Sequence, residues 1–283
     1  MSSVESISMR SEEFRLGKLP RSSHPGGLLT LLSMELHKLK GSSFWWMALG
    51  MIALVSAWSG LAFIKRAESA NPATRTVALA QGEIYQTVGL LAPILAALLT
   101  SRLAVLESGE RMDLKWRSLG QDATERFLTK LIVAGCVITL CFVIPLTWVP
   151  LAASAQGFHL EGSLAEYILV PALIACFSTM AVTAIQLALS LTIDRQAIGL
   201  GLGVIAGLIG TGLGPMNMPG LGWLFPAGIS SAASPFLSSA SPDGFASMTL
   251  VANPWPKVLT SLLVCIIWSG ISAFIVKAKE LCR

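Results

Sequence analysis

Apolar and polar positions in this chain come in long blocks, not at the short alternating periods of a soluble fold. No Asp, Glu, Lys or Arg occurs between Lys130 and Glu161, between Glu166 and Asp194, or between Lys257 and Lys277. An uncharged apolar stretch of about 18 or more residues is long enough to cross a bilayer as a helix. The blocks predict six spans, about 44–64, 84–105, 127–153, 164–193, 196–214 and 256–276. The third and fourth are long enough to tilt or to project beyond the hydrocarbon. Pro145 and Pro150 fall near the end of the third, where they predict a kink or an early exit. The expected class is an all-α polytopic membrane protein with six transmembrane helices.

The segments between the blocks add detail. Ahead of the first span, "LLTLLSMELHKLKGS" places Leu29, Leu32, Leu36 and Leu39 three and four residues apart, with Lys38 on the far side. This apolar stripe predicts an amphipathic helix lying in the lipid interface. The alternative is a cytoplasmic extension of the first span. Residues 1–27 are polar, Ser-rich and broken by Pro and Gly, without the apolar core of a signal peptide. They are expected to form a flexible cytoplasmic tail, leaving 28–283 as the transmembrane domain. In the fifth span, Gly199, Gly203 and Gly207, then Gly210 and Gly214, recur every four residues. Glycine at that spacing lets helix backbones approach closely. Tight packing within the bundle is expected, with a mobile seam or a dimer contact as the alternative. After it, residues 215–256 are repeatedly broken by proline yet almost uncharged. They are too interrupted to span and too apolar for a solvated loop. Pieces such as "GLGWLFPAGISSAA" are expected to dip into the outer leaflet as re-entrant helices packed on protein.

Composition agrees with this reading. The chain is 53% hydrophobic and 13% charged, where a soluble protein would carry roughly a quarter charged residues. The charges it keeps set an orientation. Sixteen of its 20 Lys and Arg fall on the side of the N-terminus, and four (Lys65, Arg66, Arg75 and Lys257) fall opposite. The positive-inside bias places both termini in the cytoplasm, and a multi-pass protein of the cell membrane is expected. Trp45 and Trp46 then fit an inner aromatic belt.

The same count makes "RLAVLESGERMDLKWRSLGQDATERFLTK", between the second and third spans, cytoplasmic. Eleven of its 29 residues are charged, with both signs mixed. Met112, Leu114, Trp116 and Leu119 can anchor a soluble partner while the charges fix its register. The alternative is a solvated loop whose charges pair among themselves.

Several kinds of chemistry are missing. There is no G-x-x-x-x-G-K-[ST], no H-E-x-x-H and no G-x-S-x-G. His24, His37 and His159 sit in separate segments, and the five cysteines read as small packing residues. Proton-driven carriers commonly place ionisable groups at mid-membrane depth; Glu83, Glu161 and Glu166 lie near outer span ends, where wetted carboxylates are expected. No enzyme activity, metal, bound cofactor or nucleic-acid partner is expected of this chain. A transport pathway of this composition needs energy from another subunit.

The layout resembles the ABC-2 type permeases, and within them the small six-span permeases of lantibiotic-immunity and bacitracin-resistance exporters. In that family the second and third spans are joined by a cytoplasmic stretch that opens with Glu and closes with Lys at the start of the third span. A hydrophobic coupling segment lies between the two. Glu107 and Lys130 match the ends and "LKWRSL" the middle, within a coupling segment 106–126. Arg111–Met112 stand where Gly-Thr is frequent, and Gly120 where Pro is frequent.

The resemblance covers about residues 28–280. It implies a permease subunit paired with a second copy or a sister permease, surrounded by membrane lipid. ATP and Mg would be held by ATP-binding cassette ATPase subunits, and the cargo moved outward would be a peptide antibiotic or a lipid-like amphiphile. ATPase coupling falls to Glu107, Glu110, Arg111, Met112, Asp113, Leu114, Trp116, Arg117 and Lys130. The alternative is a non-transporting membrane scaffold that anchors a soluble regulatory or assembly partner.

Overall fold

The computed structural model describes residues 28–281 except 70, 72–73, 110–122, 194–195, 215, 217 and 241–245. The blocks of the sequence become helices: α1 (Leu28–Leu39), α2 (Ser43–Ala67), α3 (Val77–Gly109), α4 (Ala123–Ala155), α5 (Leu164–Thr192) and α6 (Gln196–Gly212). A short α7 (Ile229–Ala232) follows two 3-10 turns, and α8 (Trp255–Leu281) ends the described chain. Five of these, α2, α3, α4, α5 and α8, are long and apolar enough to cross a membrane. The fifth expected span is shorter. At 17 residues, α6 reaches about 25 Å, short of a hydrocarbon core of about 30 Å.

The layers follow from how much of each helix is apolar. α5 has buried residues on every side, from Tyr167 to Ala188, as expected of a helix that is hydrophobic all round. α3, α4 and α8 pack around it, α2 lies against α4, and α6 against α3. The outer faces of α2 and α8 expose Trp46, Trp58, Leu61, Leu263 and Phe274, a surface suited to hydrocarbon. α4 continues through Pro145 and Pro150 to Ala155, so neither proline causes an early exit. Cys141 and Cys265 are buried, but Cys136 is exposed and does not serve as a core residue.

α1 packs on α4. Its stripe is divided: Leu39 is buried and Leu32 packs against the core, whereas Leu36 is 46% exposed. The side chain of Leu29 lies outside the described residues, as does the tail 1–27. A turn through Gly41, at φ 84°, carries the chain from α1 into α2. That left-handed conformation favours glycine.

The segment before α8 departs from the all-α expectation. After the 3-10 turns Pro219–Leu224 and Pro226–Gly228 and helix α7, strands β1 (Phe236–Ala240) and β2 (Ala246–Leu250) form an antiparallel hairpin with Phe236 opposite Leu250. Its Phe236 ring lies 5.9 Å from that of Tyr85, edge-on, and the Tyr85 hydroxyl donates to Ser230 O at 2.9 Å. The segment is packed on the bundle. Residues 220–233, expected as re-entrant helices, form the two 3-10 turns and α7, and the strands follow them.

Candidate functional site

The charged stretch between α3 and α4 is framed by a set of ion pairs that the fold assembles from distant parts of the chain. Glu107 lies in the last turn of α3, and its side chain is outside the described residues. Glu110, Arg111, Met112, Asp113, Leu114, Trp116 and Arg117 also lie outside them. Lys130, the other end of the stretch, is well placed by α4.

Lys130 is not a surface docking residue. Its side chain is 2% exposed, and its Nζ donates to Glu35 Oε1 of α1 at 2.8 Å. Lys38 Nζ donates to the same oxygen at 2.8 Å. Burial pushes the Glu35 carboxyl toward a higher pKa, but the Lys130 and Lys38 ammonium groups outweigh it, and the net shift is downward. Glu35 therefore remains a carboxylate, and its charge pins α1 to α4.

One turn earlier on α4, Arg126 pairs with Glu280 of α8. Beside Glu280, Lys279 Nζ donates to Thr192 O at 2.5 Å and Leu191 O at 3.3 Å. These are carbonyls at the C-terminus of α5, which lack helical donors and carry the negative end of the helix dipole. An apolar layer of Phe127, Leu131, Leu187, Ala188 and Val276 backs the charges. The first two turns of α4 thus tie together α1, α5 and α8.

Sequence reasoning missed most of this frame. Glu35 is the only acidic residue between Glu13 and Glu68, a signal that could have singled it out. The partners of Arg126 and Lys130 could not be found by spacing, since they lie 154 and 95 residues away.

The glycines have unequal roles. A Cβ at Gly203 would sit 2.7 Å from Ala97 Cβ and 2.8 Å from Pro93 O, and one at Gly207 would sit 2.6 Å from Leu90 O. Both mark the close approach of α6 to α3. Gly210 faces the Ala227 carbonyl with no room for a side chain. At Gly214 a Cβ would lie 3.3 Å from Ser231 Oγ, and at Gly199 nothing lies nearer than 3.9 Å. On the opposite side of the molecule, Arg66 joins Glu83 and also donates to Thr74 O at 2.9 Å, tying α2 to α3. Glu83 is therefore a paired carboxylate, not merely a wetted one. Among the described residues no group of three or more His, Cys, Asp and Glu is arranged to hold a metal.

A family model described as ABC-2 family transporter protein matches residues 31–210. That range runs from α1 to α6 and includes the charged stretch with Glu35, Arg126 and Lys130. No individually curated protein matches the chain. With well over half of its length inside that match, this multi-pass membrane protein belongs to the ABC-2 family of transporter proteins.

Proposed function

We propose that the chain is the transmembrane permease subunit of an ATP-binding cassette exporter. Separate ATPase subunits dock on residues 106–126 from the cytoplasm, where both termini also lie, and a second permease copy or sister permease completes the pathway in the cell membrane. The cargo is amphipathic, a peptide antibiotic of the lantibiotic or bacitracin kind or a lipid-like compound. The observation that carries this reading is the match of residues 31–210 to a transporter family. Two further features support it. The chain has no phosphate-cradling loop of its own, and the charged stretch leads into the part of α4 that ion pairs tie to α1 and α8.

The test is to express the chain with a P-loop ATPase and reconstitute the complex. Copurification, cargo-stimulated hydrolysis and outward movement of cargo are expected. ATP turnover by the chain alone, or a complex that ignores every amphiphile, refutes the proposal. Partner binding without turnover would point to a scaffold. A cysteine introduced at Ser11 should resist an impermeant thiol reagent in intact cells; strong labelling overturns the orientation.

A further inference from the structure

Pro150 in α4 and Pro171 in α5 are both buried within their helices. Neither has the N–H that a helical residue gives to the carbonyl four positions earlier. The carbonyls left without that donor are those of Leu146 and Tyr167. One side chain reaches both: Gln81 Nε2 of α3 lies 2.7 Å from Leu146 O and 3.2 Å from Tyr167 O. A primary amide has two N–H bonds on its nitrogen, one for each deprived oxygen. Two acceptors also fix the amide's orientation, because its own oxygen could not face them. Gln81 is fully buried, and its Oε1 has no partner. The residue is therefore held in the interior for its nitrogen.

The two prolines bracket one piece of structure. Residues 150–171 comprise the end of α4, a loop with Gly157 and Gly162 at positive φ, and the start of α5. The far end of this tip is also held by the start of α3. Val77 N–H donates to His159 O at 3.0 Å, and His159 N–H to Arg75 O at 2.9 Å. The Arg75 guanidinium lies 5.3 Å from the centroid of the Phe158 ring. The tip is thus bound to α3 at two levels and continues into both helices through turns that each lack a hydrogen bond. Such turns are where helices bend.

We propose that Gln81 is the positioning residue of a two-proline hinge, on which residues 150–171 pivot as one rigid tip at the level of Leu146 and Tyr167. This holds whatever the protein carries, so its test uses neither an ATPase nor a cargo. Hydrogen exchange is measured on the full chain in lipid nanodiscs. Gln81→Leu should speed exchange several-fold in peptides covering 146–171, leaving 128–140 and 178–190 unchanged. In a Pro150→Ala/Pro171→Ala background, which returns the helical donors, Gln81→Leu should produce less than half of that rise. No rise, an even rise across the chain, or an equal rise without the prolines overturns the proposal. Should Gln81→Leu fail to accumulate in membranes, the proline-free background is expected to restore it, and failure there too overturns the hinge.

Discussion

Replacing Glu35 by Gln keeps the size of the side chain and removes its charge. In the native protein that carboxylate is 10% exposed and receives Lys130, 2% exposed, and Lys38, 27% exposed. Breaking a buried pair by removing one partner costs about 3–5 kcal/mol, mostly because the other charge stays in a poor medium. We take the lower end, about 3 kcal/mol, because Lys38 admits water to the site. Lys130→Met should cost less, about 1 kcal/mol, since Glu35 keeps Lys38 at 2.8 Å. The double change Glu35→Leu/Lys130→Met, which removes both buried charges, should recover most of the loss.

Melting temperature, followed by tryptophan fluorescence in nanodiscs, is the assay. At roughly 2–4 °C per kcal/mol, Glu35→Gln should fall by about 6 °C or more and the double variant by far less. Acid offers a second view of the same group. Because the folded-state pKa of Glu35 is lowered, its contribution is full above the ordinary value of 4.5 and is lost as pH falls through the folded value. As pH falls from 4.5 through that lowered folded value, the melting temperature of the wild type should drop more steeply than that of Glu35→Gln. Equal melting of Glu35→Gln and wild type at pH 7 would refute the claim that the triad holds α1.

Other expectations concern separate parts of the molecule. Gly207→Ala should destabilise by about 1–3 kcal/mol, as overpacking against the fixed Leu90 carbonyl forces α6 away from α3. Gly199→Ala should instead be neutral or gain up to about 1 kcal/mol of helix propensity, and thermal melting of the two side by side distinguishes them. Trp116→Ala should leave insertion intact yet weaken capture of the ATPase subunit by about 2 kcal/mol; unchanged copurification would remove Trp116 from the docking surface.

The membrane-crossing helices were readable because a bilayer demands long apolar runs, and five of the expected six satisfy that demand by length. The Gly-rich run was read as a helix and forms one, but α6 stops at Gly212 and is shorter than the five other apolar helices. The hairpin escaped because five-residue strands such as "FLSSA" and "ASMTL" are short and half polar. The Asp243-Gly244 pair between them was a usable hairpin signal. Gln81 escaped for a different reason. The second span was drawn from residue 84, whereas α3 begins at Val77, so a buried amide was left outside the membrane reading. At the base, Lys130 was named for ATPase coupling, but its burial against α1 was not foreseen. Its partner, Glu35, lies in a different helix and shows no sequence link to it.

The pairing of Glu35 with Lys130 also sets an order of events during synthesis. α1 leaves the ribosome before α4, and the lysine that fixes it lies 95 residues beyond Glu35. At about 5–20 residues per second, that leaves a delay of about 5–20 s. Throughout it Glu35 has a local partner, Lys38, only three residues away. The short-range pair can keep the charge occupied until the third long helix is made. The nascent chain thus carries a provisional contact that the finished protein keeps as one arm of a permanent one.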